Sequence, residues 1–262
     1  MIEKMSRYPS DLTNSQWKII APLIPTAKSG GRPRSTSMRD VVDALLYMSR
    51  TGCQWRFLPK EYPPRSTVYD YFKAWKENKV WDKIVNYLRE NVRIKEGRSA
   101  EPSAGIIDSQ SVKSVQESSF RSGYDGGKKI KGTKRHIIVD ILGLLICVIV
   151  HSAQIQDRSA ALSVIKKALN ICPPIKIFWA DGGYTGSLIE RIKSKFNRVL
   201  EIIKRPRGEF KIVAWRWVVE RTFGWLNRHR RLSKDYERTK MSSESWVKIA
   251  SIELMINRLE PK

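Results

Sequence analysis

HIIVDILGLLICVIV, residues 136–150, is the stretch that decides the fold. Its two apolar runs each have the length of a β-strand, and Leu142-Gly143 between them is a turn signal. The stretch therefore predicts an antiparallel hairpin of residues 136–140 and 144–150. Because it is too short to span a bilayer and contains Asp140, we expect no association with a membrane.

Further strands and helices alternate around this hairpin. Strands are predicted over residues 106–108, 175–181 and 199–203. Helices are predicted over about residues 158–170, 187–197 and 210–229. Residues 109–132 are rich in Ser, Gly and Lys and are predicted as a loop. The order β-β-β-α-β-α-β-α describes an α+β domain with a mixed sheet, and it is the element order of the ribonuclease H fold.

The first hundred residues have a helical pattern. Four helices are predicted, around Trp17 and over about residues 38–50, 66–75 and 79–92. Ser66 offers a hydroxyl cap for the third of them. This pattern fits a helix-turn-helix and a plain helical bundle about equally well.

A polar segment of small residues, 96–105, separates the two patterns. It predicts a linker between an all-helical, DNA-binding domain of residues 1–95 and a catalytic domain of residues 106–262.

The chain is strongly basic: its 262 residues carry 49 Lys and Arg against 26 Asp and Glu, a formal net charge of +23. The 41% of hydrophobic residues suffices for a core, which excludes a wholly disordered chain. A folded chain of this charge needs an anionic partner, and nucleic acid is the leading candidate. Its three cysteines form no CxxC pair and its N-terminus has no apolar run, so we expect a cytoplasmic protein without a structural zinc site.

Three acids form the candidate catalytic site. Asp108 and Asp181 end two strands that are neighbours in the proposed fold, and Glu220 is the one acid in the last predicted helix. Phosphodiester cleavage can be served by two divalent ions held by a few carboxylates, so these acids predict a site for Mg²⁺ or Mn²⁺. The alternatives are a solvated strand end, a turn, and a surface pair of Glu220 with Arg216.

The helical face that carries these last two residues weakens the surface-pair alternative. Arg216 and Glu220 share it with apolar residues such as Val219, and charged groups there are costly unless a site uses them. Two other acids are rivals: Asp140 lies beside the hairpin turn, and Asp157 fits a cap of the following helix.

Basic residues cluster near the candidate acids and in the helical half. One cluster follows Asp108 and comprises Lys128, Lys129, Lys131, Lys134 and Arg135. Another follows Glu220 and comprises Arg228, Arg230 and Arg231. A solvated face is the ordinary explanation of such runs, but their position favours contact with the DNA backbone. The helical half offers candidate groove contacts in Arg32, Arg34, Ser66, Thr67, Tyr69 and Lys73.

Three blocks of the chain resemble the catalytic blocks of bacterial DDE transposases, most closely those of the insertion-sequence-5 family. The blocks are Ile107-Asp108-Ser109-Gln110-Ser111, Trp179-Ala180-Asp181-Gly182-Gly183-Tyr184, and Trp217-Val218-Val219-Glu220-Arg221 with Arg230-Arg231-Leu232 after it. The helical start is similar to the N-terminal domain of that family, in residues 12–17, 31–34 and 52–59. The similarity therefore covers nearly the whole chain.

The resemblance implies that Asp108, Asp181 and Glu220 are the metal-binding triad. Arg216 matches the arginine of a Tyr-Arg-Glu-Lys signature in related insertion elements, whose tyrosine and lysine are replaced here by Val213 and Asn227. It also implies a synaptic oligomer, a homodimer or larger, because two DNA ends must be joined.

The function expected from the sequence is that of a transposase located in the bacterial cytoplasm, in association with the nucleoid. It would bind the terminal inverted repeats of its own element, cleave at the ends and transfer the 3′ ends to target DNA. Two alternatives stay open: a ribonuclease H-like nuclease or resolvase that cuts without joining, and a catalytically dead DNA-binding repressor. The presence of all three acids argues against the repressor.

Overall fold

The computed structural model describes residues 7–27, 30, 33–116, 122–203 and 214–262. The helices are α1 (Asn14–Ile20), α2 (Met38–Thr51), α3 (Arg65–Glu77), α4 (Val80–Lys95), α5 (Asp157–Ile171), α6 (Leu188–Phe196), α7 (Ala214–Leu226) and α8 (Lys240–Leu259). The strands are β1 (Ala104–Lys113), β2 (Gly123–Asp125), β3 (Ile130–Val139), β4 (Leu145–Ser152), β5 (Ile177–Ala180) and β6 (Val199–Ile202). Arg32, Val213 and residues 210–212 of the last predicted helix lie outside the described residues.

The six strands form one mixed sheet. Its order is β2-β3-β1-β5-β6, and β4 also pairs with β3. β3 is antiparallel to β1, β2 and β4, whereas β5 is parallel to both β1 and β6. Gly143, with a φ of 80°, makes the turn between β3 and β4 in a backbone region that glycine enters without steric cost. The predicted hairpin and the mixed α/β class are confirmed.

β1 is longer than the sequence predicts, and the prediction of a loop over residues 109–132 is wrong. The strand continues through Lys113, β2 lies within the expected loop, and β3 begins at Ile130. The polar residues Ser109 and Ser111 hid the strand, but both are buried because their hydroxyls donate to carboxylates of other segments. Asp108 therefore lies in the middle of β1, not at its end.

The helical first part has the predicted number of helices, but its third helix starts differently. α3 begins at Arg65 with Pro64 as its N-cap, and no side chain caps it. The prediction that Ser66 caps this helix is wrong, since Ser66 already lies within the first turn. α1 has a hydroxyl cap, because Thr13 accepts the backbone N–H of Gln16.

α8 was not predicted from the sequence, and it joins the two parts of the chain. This C-terminal helix packs against α2 and α4 of the first part and against β4 of the sheet. One hydrophobic core consequently contains Leu45 and Val92 together with Ile137 and Trp246. The two parts of the chain share this core, so residues 96–105 do not separate two independently packed units. The assignment of different functions to residues 1–95 and 106–262 stays a prediction.

The other face of the sheet is covered by α5 and α6. Ile106 belongs to the core shared with the N-terminal helices, whereas its neighbour Ile107 packs into a second core with Phe178 and Ile165. This is the alternation expected of a strand that is buried on both faces. Within the described residues, no helix is long and apolar enough to cross a membrane.

Candidate active site

The pairing of β1 with β5 brings two of the candidate acids together. Ile106 is aligned with Trp179, and Asp108 and Asp181 each lie two residues further along these parallel strands. The expectation that their strands are neighbours is confirmed. Asp181 also accepts the N–H of Gly183, at 2.9 Å, which starts the short turn after β5.

α7 contributes the third acid and packs against β1. The indole of Trp215 stacks on that of Trp179 with ring centroids 4.5 Å apart and planes only 3° from parallel. Because Trp179 lies two residues before Asp181, this stacking fixes α7 beside the end of β5.

Arg216 lies between the acids of β5 and α7. Its Nε donates to Oε1 of Glu220 at 3.1 Å, and its Nη2 is 3.9 Å from Oδ2 of Asp181. The Glu220 side chain is 49% exposed, so the expectation that it lies among apolar neighbours is wrong. On exposure alone, Arg216 and Glu220 would be a surface ion pair. Arg216 also approaches Asp181, however, and it therefore links Glu220 to the acids of the sheet.

The surroundings of Asp108 perturb its pKa. Burial raises its pKa to about 7, and the charges of Asp181 and Asp157 act in the same direction. The backbone N–H of Ser109, 2.7 Å from its Oδ1, and the charge of Lys128 lower the pKa but do not compensate. A carboxylate in such surroundings is stabilised by any cation that approaches it.

A buried polar network holds β1 behind Asp108. The hydroxyl of Ser109 donates to Oδ1 of Asp157 at 2.7 Å, and Nζ of Lys134 lies 3.0 Å from the same oxygen. Lys134 is also 3.6 Å from Oδ2 of Asp125. Asp157 is the first residue of α5 and caps nothing, so its prediction as a helix cap is wrong.

The chain matches two family models, one on each side of residues 86–98. "Putative transposase of IS4/5 family" matches residues 12–85, and "Transposase DDE domain" matches residues 99–252. The second match covers more than half of the chain and contains all three acids. The chain belongs to the DDE transposase family of bacterial insertion sequences. The resemblance inferred from the sequence is thereby confirmed.

Relatives of this transposase include a protein named "Putative transposase for insertion sequence element IS402" from Burkholderia cepacia. It is 31% identical over 121 residues, which are 41% of this chain and 54% of the relative. "Uncharacterized protein y4sN" from Sinorhizobium fredii is 30% identical over 117 residues, 45% of this chain and 87% of that protein. The chain thus spans about half of the length of the IS402 relative.

Several basic residues predicted to contact DNA are buried in the transposase. Lys134, Arg135 and Arg231 are at most 7% exposed. Arg135 donates to the carbonyl oxygens of Leu232 and Lys234, and Arg231 pairs with Glu237 at 2.6 Å. The prediction that these three residues contact the DNA backbone is wrong. Arg135 and Arg231 bind the segment after α7 to the fold, whereas Lys134 pairs with Asp157 at 3.0 Å.

The other basic candidates remain accessible. In the two clusters that follow Asp108 and Glu220 in sequence, the exposed residues are Lys128, Lys129, Lys131, Arg228 and Arg230. In the helical part, Arg34, Ser66, Tyr69 and Lys73 are exposed and Thr67 is partly exposed. Lys128 lies beside the active site, since its Nζ donates to the carbonyl oxygen of Ser109 at 3.2 Å.

The rival acid Asp140 has a structural role in the transposase. It is fully buried, pairs with Arg93 of α4 at 2.5 Å, and accepts the N–H groups of Leu142 and Leu144 in the hairpin turn. It therefore does not belong to the candidate site.

Sequence reasoning missed a buried chain of hydrogen-bonding groups beneath the acids. The hydroxyl of Tyr184 lies 2.7 Å from Nε2 of His136, whose Nδ1 is 3.4 Å from Nε2 of His151. Burial lowers the pKa of His136 to about 3, so this ring is neutral at pH 7. The position of Tyr184 three residues after Asp181 was the available signal.

The donor atoms of the site suit a hard divalent cation, although Glu220 is held by Arg216. Within the described ranges, no three His, Cys, Asp or Glu side chains converge closely enough to hold a metal ion. Asp108 and Asp181 nevertheless each lie two residues beyond the aligned pair Ile106 and Trp179, and carboxylate oxygens are the ligands that such a cation prefers. The residues that could hold the metal are these two and Glu220.

Proposed function

We propose that this transposase binds the terminal inverted repeats of its element, cleaves at the element ends and transfers the 3′ ends to target DNA. The observation that carries the proposal is the position of Arg216, which contacts Glu220 and approaches Asp181, next to a partly buried Asp108. β1, β5 and α7 would thus each supply one carboxylate to a site for phosphodiester chemistry, where β1 runs beside β5 and packs against α7.

Asp108, Asp181 and Glu220 would hold Mg²⁺ or Mn²⁺, two ions in our proposal. When bound, the metal supplies an activated nucleophile and relief of the charge on the phosphate. Oxygen ligands are what these hard cations prefer, and the site offers carboxylates only.

The chain itself would contribute positioning and charge. Arg216 would orient Glu220 and, once Glu220 is released, place its guanidinium against a phosphate oxygen, for which it has a suitable fork of donors. Lys128 is exposed, and its Nζ donates to the carbonyl oxygen of Ser109, the residue that follows Asp108. Its ammonium group can therefore reach the same phosphate. The Ser109–Asp157–Lys134 network would keep β1 rigid while the DNA is bound.

The remaining parts of the proposal concern the fold and the division of roles. The sheet with α5, α6 and α7 would be a ribonuclease H-like domain within residues 106–262, and residues 1–95 would contain a helix-turn-helix. The exposed side chains on α3 support a reading role for the first part. Joining two ends would require at least a homodimer, and the DNA substrate would place the protein at the bacterial nucleoid.

A strand-transfer assay with a duplex that ends in the terminal repeat, a target plasmid and Mg²⁺ tests the proposal. We expect the wild-type chain to cleave the end and join its 3′ strand to the plasmid. Glu220→Gln should do neither, whereas Glu190→Gln, an exposed acid of α6, should behave as wild type. Cleavage without joining would support the nuclease or resolvase instead, and binding without cleavage would support the repressor.

A further inference from the structure

A second basic feature lies away from the active site, where the N-terminal helices meet α5 and α8. It is a cleft of about 490 Å³. Four of the side chains that line it are lysines, against two acids: Lys76, Lys79, Lys167 and Lys248, with Asp82 and Glu244. The walls come from both parts of the chain, so a ligand in the cleft would contact both.

The two acids of the cleft are already neutralised. Nζ of Lys248 lies 2.7 Å from Oδ2 of Asp82, and Nζ of Lys167 lies 3.0 Å from Oε2 of Glu244. The other two lysines have no carboxylate partner among the described residues. Lys76 donates only to the hydroxyl of Ser242, at 3.3 Å. The cleft therefore has an excess of about two positive charges.

The backbone at the edge of the cleft adds to this positive potential. Lys79 is the N-cap of α4, a helix of 16 residues, and no side chain caps the N–H groups of its first turn. The N-terminus of a helix carries a partial positive charge and free N–H donors, both of which favour an anion. Lys79 has a left-handed backbone, with φ of 56°, where asparagine would fit equally well.

The solvent-facing side of α5 connects this cleft with the active site. The helix starts at Asp157, which is bonded to Ser109 beside the catalytic acid, and Asn170 near its other end lines the cleft. No acidic residue occurs between residues 158 and 171. The exposed side chains along this stretch are basic or neutral hydrogen-bonding groups: Arg158, Ser159, Ser163, Lys166 and Asn170.

We propose that duplex DNA held at the catalytic acids runs along α5 and seats its phosphodiester backbone in the lysine cleft. This inference rests on the proposed function, and it assigns the cleft to DNA phosphates at a defined distance from the cut. The thirteen residue steps from Asp157 to Asn170 span about 20 Å at 1.5 Å per step. That length corresponds to roughly six base pairs at 3.4 Å each.

The test uses the full chain and an element-end duplex, without divalent metal so that no cleavage occurs, with Kd measured by fluorescence anisotropy across a salt series. The variant is Lys76→Gln combined with Lys79→Asn, which removes both unpaired charges. If both lysines contact phosphates, the slope of log K against log salt falls by about 1.8. The ratio of variant to wild-type Kd should then shrink about 12-fold between 50 and 200 mM salt.

The control variant, Lys193→Gln with Lys195→Gln, removes two exposed charges from α6. It should keep the wild-type slope of log K against log salt. The proposal would be overturned if all three proteins had equal slopes, or if both variants lost the same amount of slope. Phosphate-ethylation interference should show contacts roughly six base pairs from the cut that are lost only in the Lys76/Lys79 variant. Competition by inorganic tripolyphosphate for the cleft, with DNA binding unchanged, would assign the site to a free polyphosphate and also overturn it.

These readouts do not depend on catalysis. If the proposed function fails because the acids do not cleave DNA, the salt slope of the cleft variant is unaffected by that failure. If only the cleft proposal fails, cleavage and its dependence on Glu220 remain.

Discussion

Replacing Lys134 by Met separates a structural lysine from a DNA-binding one. The side chain is 5% exposed, and its Nζ contacts Asp157 at 3.0 Å, Asp125 at 3.6 Å and the carbonyl oxygen of Ile155 at 3.1 Å. Met keeps the volume of the stem but leaves two carboxylates without their shared cation. Lys128→Met is the matched variant, because Lys128 is exposed and precedes the same strand.

The magnitude follows from the burial of these partners. Breaking a buried ion pair by removing one member costs roughly 3–5 kcal/mol. Asp157 is 28% exposed and can be hydrated again, so we expect the lower end, about 3 kcal/mol, for Lys134→Met. Lys128→Met should change the free energy of unfolding by less than about 0.5 kcal/mol, as is usual for surface positions.

Two assays on both variants decide the question. Urea denaturation measures the loss of stability, and the salt dependence of DNA binding measures the loss of a phosphate contact. We expect Lys134→Met to lose stability and keep the wild-type salt slope, and Lys128→Met to keep its stability and lower the slope by about 1. A stable Lys134→Met variant with a lowered slope would refute the assignment of Lys134 to the interior.

Two further predictions concern stability. The pKa of His136 is about 3 in the folded chain and about 6.5 in the unfolded chain. Between pH 6.5 and 3 the unfolded chain therefore binds one more proton than the folded chain, and stability is lost as the pH falls below 6.5. His136→Gln should make the loss measured by urea denaturation between pH 6.5 and 5 about 1.6 kcal/mol smaller, and an unchanged loss would contradict this. Arg93→Met should cost about 3 kcal/mol, because it leaves Asp140 buried and unpaired. Its combination with Asp140→Asn should cost less than the sum of the two changes, so additivity would contradict the pairing.

The site was predictable from sequence wherever local pattern sets the structure. The run before Asp181 has the composition of a buried strand, and the order of strands and helices predicts that this strand lies beside that of Asp108. Glu220 could be selected because it is the one acid in its predicted helix. These inferences needed no knowledge of long-range contacts.

The errors lie where a distant partner decides the role of a residue. Ser109 has the composition of a loop residue, and it is buried in a strand because its hydroxyl donates a hydrogen bond to Asp157, 48 positions later. Lys134 and Arg135 have the composition of a DNA-binding cluster, but carboxylates and carbonyl groups from other segments enclose them. Local sequence does not contain these partners, so the basic clusters were assigned to the surface as a whole.

The claim that Asp108, Asp181 and Glu220 form one metal-binding site is tested most directly by Mn²⁺ titration of the full chain, followed by electron paramagnetic resonance. We expect the wild-type chain to bind Mn²⁺ and Asp108→Asn, Asp181→Asn and Glu220→Gln each to weaken binding by at least about 10-fold. Glu190→Gln should bind as wild type. Wild-type affinity in Glu220→Gln would contradict the claim and leave Glu220 as a surface partner of Arg216.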